Sequence, residues 1–320
     1  MKLKDFYHAT VEAGIENDPR GRDGIENLLA EEKGRFDKLD EQDREYYDRD
    51  RLVNPFSDTR ILSGEPDLEI KKAIVGIDME VGELLLTHLL NKDLERKIDL
   101  VIAHHPEGSA LARLFDVMTL QSDLLAACGI TLSVAEKLME KRIGEVERRL
   151  MPVNHNRSVD VARLLGLPMI CIHTAADNCV TRYLTRLIEE KKPSRLKDLL
   201  DLLRDIPEYR RSAFLQLPPK IVSGSEESRS GKVFVDMTGG TEGAKDVFEK
   251  YAASGVSTLV GMHISEDHLE NAKKANLNVV IAGHISSDTL GLNLLLDAVE
   301  KNERLEYVCV SGFERIRRGS

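Results

Sequence analysis

The sequence predicts an α/β fold with two lobes, in which mainly parallel sheets are flanked by helices and a helical arm is added at the N-terminus. Six short apolar segments alternate with helical patterns along the chain. These segments are nearly continuously apolar, which is typical of strands that are buried on both faces of a parallel sheet. A chain of 320 residues is also long enough for one large domain or two lobes.

The first elements are a charged helical arm and two apolar strands. Residues 1–56 carry helical patterns with a thin apolar face, so we interpret them as a surface or subunit-contact element. The first strand covers 73–77 and is followed by Asp78 and a helix. The second strand covers 100–103, and a long helical region with a soft break near Gly129 follows it.

The remaining strands are predicted within 167–173, 232–237, 257–263 and 277–284, and 305–311 suits a final edge strand. We divide the chain into the arm (1–56), a metal-binding α/β lobe (57–185 together with 265–320) and a second α/β lobe (186–264). Residues 222–231, rich in Ser and Gly, suit a linker or mobile loop. Segment 261–272 resembles 283–294, which indicates either an internal duplication or, as we favour, two similar strand-to-helix turns.

Composition narrows the class of protein. The net charge of −10 argues against nonspecific binding to nucleic acid or to an anionic membrane, which both require a basic surface. The basic tail, Arg315, Arg317 and Arg318, is interpreted as a solvated terminus. No apolar run is long enough to span a membrane, and the start lacks the apolar region of a signal peptide. The four cysteines form no CxxC pair, so we expect a cytoplasmic protein without disulfides.

Histidines and carboxylates concentrate where the predicted strands end. In open α/β sheets ligands bind outside the carboxyl ends of the strands, so these side chains are expected at one site. They are Asp78, His104, His105, His173, Asp177, Asp236, His263, His284 and Asp288. Neutral imidazole together with carboxylate oxygen suits zinc, iron, manganese or nickel.

Each of these residues also has a structural interpretation. A single histidine at a strand end is more often hydrogen-bonded within the fold, whereas the adjacent pair His104–His105 favours metal binding. Asp177 and Asp288 could cap helices. His173 and His263 belong either to the site or to its surroundings, and Asp78 suits an orienting role. The turn 238–243 (TGGTEG) could cradle a phosphate, but it lacks the full pattern of a phosphate-binding loop.

Three motifs occur in an order that resembles the Nif-three-like family, whose members often carry the name GTP cyclohydrolase I type 2 homolog. They are DLVIAHHP (99–106), ICIHTAADN (170–178) and VVIAGHISSD (279–288). The resemblance implies a two-lobed α/β fold with a dinuclear metal site, in a ring-shaped homo-oligomer such as a hexamer. By position it implies the metal ligands His104, His105, Asp177, His284 and Asp288. The family usually has Glu as the last ligand, and the shorter Asp288 stands there in this chain.

These observations lead to a hydrolase hypothesis with two divalent metal ions per subunit. A metal-activated water would attack a phosphate ester or a purine ring carbon of a small molecule such as a nucleotide. His263 or His173 would act as general acid or base. The alternative is a metal-binding regulatory or scaffold protein without turnover, which would use the same ligands.

Overall fold

The computed structural model of the chain describes residues 1–93, 95, 97–301 and 303–318, which form two sheets flanked by helices. The predicted α/β class is confirmed. The strands are β1 (Arg60–Ser63), β2 (Lys72–Gly76), β3 (Leu100–Ala103), β4 (Met169–Cys171), β5 (Lys220–Ser223), β6 (Lys232–Asp236), β7 (Val256–Gly261), β8 (Asn278–Ile281) and β9 (Glu306–Cys309). The helices are α1 (Leu3–Glu16), α2 (Gly21–Asp37), α3 (Glu41–Tyr46), α4 (Val81–Asp93), α5 (Gly108–Ala112), α6 (Thr119–Ala127), α7 (Leu132–Leu150), α8 (Arg157–Leu164), α9 (Thr174–Lys191), α10 (Leu196–Arg204), α11 (Pro207–Phe214), α12 (Phe248–Ala253), α13 (Glu266–Lys274) and α14 (His284–Val299). None of the described helices is both long and apolar enough to cross a membrane.

The first sheet has the strand order β1-β4-β3-β2-β9. Strand β1 is antiparallel to β4, and the other neighbours are parallel. All four residues of β3 are buried, as expected for a parallel strand that is covered on both faces. The carboxyl ends of β2, β3 and β4 therefore lie at the same edge of the sheet.

The second sheet has the strand order β5-β8-β7-β6, again with the first strand antiparallel. Strand β8 belongs to this sheet, although the sequence division assigned all of 265–320 to the first lobe. Strand β9, from the same stretch, does pair with β2 in the first sheet. The order of strands along the chain cannot reveal which sheet β8 and β9 join, because this depends on pairing between strands that are far apart in sequence.

The two sheets repeat one arrangement. Their antiparallel strands carry the same irregularity in register, between Ile61 and Ser63 in β1 and between Ile221 and Ser223 in β5. Each half also has an isolated antiparallel bridge just before a helix, Lys2 with Glu69 and Arg195 with Arg229. The similar segments 261–272 and 283–294, by contrast, follow the adjacent strands β7 and β8.

Helices α9 and α14 lie between the two sheets and pack against each other. One apolar cluster joins them to the first sheet, through residues such as Cys179 and Leu292. Another joins them to the second sheet, through residues such as Val180 and Leu290. The N-terminal turns of both helices are thereby directed toward the carboxyl ends of the parallel strands.

Helix α1 is part of the core, so the interpretation of the whole N-terminal arm as a surface element was wrong. Leu3 and Phe6 are fully buried, and α1 packs against α9 and α14. Gly14 permits this approach, because a Cβ atom there would lie 2.7 Å from the Cβ atom of Ala175. Most of α2 and all of α3 are exposed or only partly buried, as a surface element requires.

The basic C-terminal tail is folded onto the protein and is not a solvated terminus. The side chain of Arg315 is only 6% exposed and forms ion pairs with Asp297 and Glu300. Arg318 pairs with the buried carboxylate of Glu208 on α11. The tail therefore connects α14 with α11.

Candidate metal centre

The five predicted ligands come together where β3 ends and where α9 and α14 begin. His104 and His105 directly follow β3. Asp177 lies in the first turn of α9, and His284 begins α14. Asp288 lies four residues after His284, so both side chains are on the same face of the helix.

The carboxylate of Asp288 is at the centre of this group and is 1% exposed. Its Oδ1 atom lies 3.5 Å from Nε2 of His104. Its Oδ2 atom lies 3.4 Å from Nε2 of His105 and 3.6 Å from Nε2 of His284. The two oxygens thus face different imidazoles.

A second group of candidate ligand atoms shares His104. Nε2 of His104 lies 3.5 Å from Oδ1 of Asp177, and Nε2 of His173 lies 3.8 Å from Oδ2 of the same carboxylate. Within each of the sets His104, His105, Asp288 and His104, His173, Asp177, the ligand atoms lie within 4.8 Å of one another. The geometry therefore offers two neighbouring places for a cation.

These separations suit metal ligands better than hydrogen bonds. Hydrogen bonds from nitrogen to oxygen span about 2.7–3.2 Å. Two ligands on a tetrahedral zinc, each bonded at about 2.0–2.1 Å, lie about 3.3–3.4 Å apart. Nε2 of His104, Oδ1 of Asp177 and both oxygens of Asp288 are buried without a hydrogen-bond partner. Since buried polar atoms are normally paired, this donor set fits a divalent cation.

The pKa values of Asp177 and His173 reflect the buried carboxylates that surround them. Burial raises the pKa of Asp177 to about 8, the carboxylates of Asp288 and Asp58 add to the effect, and His173 opposes it. Burial lowers the pKa of His173, but Asp177, Asp58 and Asp288 outweigh it and raise the pKa to about 9. A cation at this place would relieve the repulsion between carboxylates that raises the pKa of Asp177.

Three of the imidazoles are held in one orientation by an acceptor at Nδ1. His104 donates to the carbonyl oxygen of Ile172 (2.9 Å), and His105 donates to Asp78 (2.6 Å). His173 donates to Asp58 (2.8 Å). Such contacts fix the tautomer and leave Nε2 as the free nitrogen, as is common for metal-binding histidines.

A cleft of about 770 Å³, partly open to solvent, extends from this group to the second sheet. His173, Asp177, His284 and Asp288 line one end of it. The opposite wall contains apolar side chains, Phe248, Leu259, Val279 and Ile281 among them, and the polar residues Asp236, Glu242, His263 and His268. A small molecule in this cleft would contact both halves of the chain.

His263, on the loop after β7, lies beside the candidate ligands and outside both groups. Its ring centroid is 4.9 Å from that of His284, and its side chain is 49% exposed. Nδ1 of His263 lies 3.6 Å from Oε1 of Glu242. The contact with Glu242 raises the pKa of His263, and burial partly opposes this.

A crystal structure of a NIF3 superfamily protein from Sphaerobacter thermophilus is similar to this chain, with a TM-score of 0.71 and 28% sequence identity. The similarity covers 82% of this chain and 93% of that one. The chain resembles the NIF3 superfamily in fold and in sequence. The resemblance that the three motifs carry is thereby confirmed.

A second solved structure is similar in fold alone. Reduced HcgD from Methanocaldococcus jannaschii matches with a TM-score of 0.51 and 14% identity, over 84% of this chain and 94% of that one. No model of a protein family matches the chain, and no curated protein matches it significantly. The α/β fold is thus shared with a protein whose sequence is only 14% identical.

Two residues of this site, Asp58 and Glu242, were missed by sequence reasoning. Asp58 precedes the short antiparallel strand β1, and Glu242 lies in a turn, so neither follows an apolar parallel strand directly. The only signal for Asp58 was its place next to a short extended segment. Its contact with His173 spans 115 residues of sequence.

The glycine turn 238–243 has a packing role. A Cβ atom on Gly239 would lie 2.7 Å from the side chain of Gln121, and one on Gly240 would lie 2.9 Å from Val117. The Gln121 amide donates to the carbonyl oxygens of Gly239 and Thr241. The next helix, α12, begins only at Phe248, so the turn does not form the helix N-terminus that a phosphate cradle uses.

Proposed function

We propose that this NIF3-like protein is a hydrolase that binds two divalent metal ions and acts on a small molecule such as a nucleotide or another phosphate ester. The observation that carries the proposal is the buried group of His and Asp ligand atoms without partners, at the end of a cleft. The ligands would be His104, His105, Asp177, His284 and Asp288. Zinc, iron, manganese and nickel all suit these donors.

Asp288 would bridge the two ions, since its two oxygens face different histidines. Bound divalent ions would lower the pKa of a coordinated water and offset negative charge on the substrate. Hydrolysis would form a bond from the water oxygen to phosphorus and break the bond from phosphorus to the ester oxygen, or do the same at a ring carbon and its bond to nitrogen. The remaining proton of the water would go to the oxygen or nitrogen that leaves.

His263 is the best candidate for moving this proton. It lines the cleft next to His284, and Glu242 at its Nδ1 atom would orient the ring and leave Nε2 for the substrate. The earlier alternative, His173, is 7% exposed and is enclosed by Asp58 and Asp177. Its position suits contact with the ions better than contact with a leaving group.

The lining of the cleft limits the substrate class. Among the described residues that line it, none is Lys or Arg. A phosphate would therefore have to be neutralised by the metal ions, which supports a substrate with one phosphate or ester group at the metals rather than a polyphosphate chain. The apolar side chains on the far wall, such as Phe248 and Leu259, suit a flat ring.

Metal analysis and a substrate screen test this function. The full chain, purified without a histidine tag and given zinc, iron or manganese, is expected to retain two ions per chain. Nucleoside monophosphates and simple phosphate esters would then be screened for turnover, with His105→Ala as the inactive variant and size-exclusion elution as the control for its fold. Absence of bound metal from native and reconstituted protein would refute the proposal.

The alternative, a metal-binding regulatory or scaffold protein, is favoured by one surface. Leu85, Leu86 and Leu89 on α4 are 47%, 41% and 54% exposed, which suits contact with another protein or with a second copy in the proposed homo-oligomer. Two bound ions without turnover of any screened compound would favour this alternative. Light scattering of Leu85→Glu, compared with the unaltered chain, would report whether α4 joins subunits.

A further inference from the structure

The surroundings of His173 differ from those of a side chain that transfers protons to a substrate. Nδ1 of His173 donates to Oδ2 of Asp58 at 2.8 Å, and the hydroxyl of Thr174 donates to the same oxygen at 2.6 Å. Asp58 is fully buried. Because the carboxylate accepts at Nδ1, the lone pair of the neutral ring is on Nε2, and that atom lies 3.8 Å from Asp177.

This arrangement repeats that of two proposed ligands. His104 and His105 also donate from Nδ1 to an oxygen atom and direct Nε2 toward a buried carboxylate. The ring of His173 lies 5.0 Å from the ring of His104, measured between centroids. Three imidazoles thus share one tautomer and surround the same pair of carboxylates.

We infer that His173 is a metal ligand, held in its binding tautomer by Asp58. This inference rests on the proposed dinuclear site and adds a residue to it. The ion at His104 would then have four protein ligands, namely His104, His173, Asp177 and one oxygen of Asp288. Four protein ligands are typical of a closed zinc site.

The second ion would have a different environment. His105, His284 and the other oxygen of Asp288 supply three protein ligands. The side chains of His105 and His284 are 27% and 42% exposed, whereas none of those of His104, His173 and Asp177 is more than 9% exposed. An open coordination position, which catalytic sites retain, would therefore belong to the second ion.

A purely structural role for His173 leads to different expectations. The residue precedes α9, and Asp58 connects it to the loop before β1. If this connection were its only role, His173→Gln would lower the stability of the chain and leave both ions bound.

The test is metal content and affinity of the full chain. After loading with zinc and dialysis, the unaltered chain is expected to hold two ions, and His173→Gln is expected to hold one. His263→Gln makes the same chemical change outside both ligand groups and is expected to hold two. Circular dichroism and size-exclusion elution verify the fold of each variant.

Asp58→Asn provides a second measurement that does not depend on the folding of His173→Gln. Substitution of a residue that orients a ligand typically weakens metal binding by about 10–100-fold. Competition with a chelator is expected to show this loss for one ion of the two. Two ions with unaltered affinities in either variant would overturn the inference, whereas an unaltered chain that binds no zinc would refute the proposed function itself.

Discussion

The length of the side chain at position 288 can be tested directly, since the family usually has Glu there and this chain has Asp. Asp288 already reaches three imidazoles, with distances of 3.4–3.6 Å between its oxygens and their Nε2 atoms. Helix α14 therefore lies close enough to the imidazoles for the short side chain to reach them. We predict that Asp288→Glu destabilises the protein.

The magnitude follows from the space around the carboxylate. An added methylene would advance the oxygens by about 1.5 Å, the length of one carbon–carbon bond. The distances to the imidazoles would fall to about 2 Å, so the side chain would have to leave its preferred rotamer or α14 would have to move. The neighbouring Ser287 and Thr289 are also buried, which restricts such movement. Overpacking of this kind costs about 1–3 kcal/mol.

The assay is urea unfolding of chelator-treated protein, so that metal binding does not contribute to the measured free energy. Asp201→Glu on α10 is the matched control, because Asp201 is 50% exposed and the same change there should alter stability by less than about 0.5 kcal/mol. If Asp288→Glu is as stable as the unaltered chain, α14 has room for the longer ligand and our explanation of the departure fails.

Two further predictions concern packing and pH. Gly291→Ala should destabilise the chain by about 1–3 kcal/mol, because the added Cβ atom would lie 2.6 Å from the carbonyl oxygen of Ala176 on α9. The control is Gly34→Ala on α2, where the added Cβ atom meets nothing within 4 Å and should stabilise the chain by up to about 1 kcal/mol. Equal effects of the two substitutions in urea unfolding would contradict this prediction. Burial, reinforced by Glu242, raises the pKa of Asp236 to about 6. The folded protein therefore keeps this carboxyl protonated at pH values where the unfolded chain has already released the proton. As pH rises from about 4 to about 6, the folded protein loses stability. Asp236→Asn should lack this loss. Allowing for the partial exposure of Asp236, its free energy of unfolding should exceed that of the unaltered chain by about 1–2 kcal/mol above about pH 7 and by little near about pH 4. A difference in stability that is independent of pH would refute the assignment.

The sequence predicted the parts of the fold and site that depend on local patterns. Strands were expected at 73–77 and 100–103, and they occur at Lys72–Gly76 and Leu100–Ala103. Each parallel strand is a short apolar run, and the residue after it has a known place at the sheet edge. For this reason the histidines and carboxylates that the structure brings together could be named in advance.

Features that depend on long-range packing could not be predicted in this way. Helix α1 carries charged residues between its apolar positions, and only its contact with α9 and α14 reveals that those positions are in the core. The membership of β8 in the second sheet depends on its pairing with β5 and β7. Asp58 looks like any loop aspartate until the fold brings it to His173.

The repeated arrangement of the two halves has a consequence for how the centre is assembled. Each half contributes one of the two packed helices, α9 and α14, and a histidine and an aspartate four residues apart lie at the start of each helix. Neither half contains both pairs, so a separated half would possess the motif without the centre. A cation bound by both Asp177 and Asp288 would link the two halves. Its removal would weaken the contact between the two sheets before it disrupts either sheet.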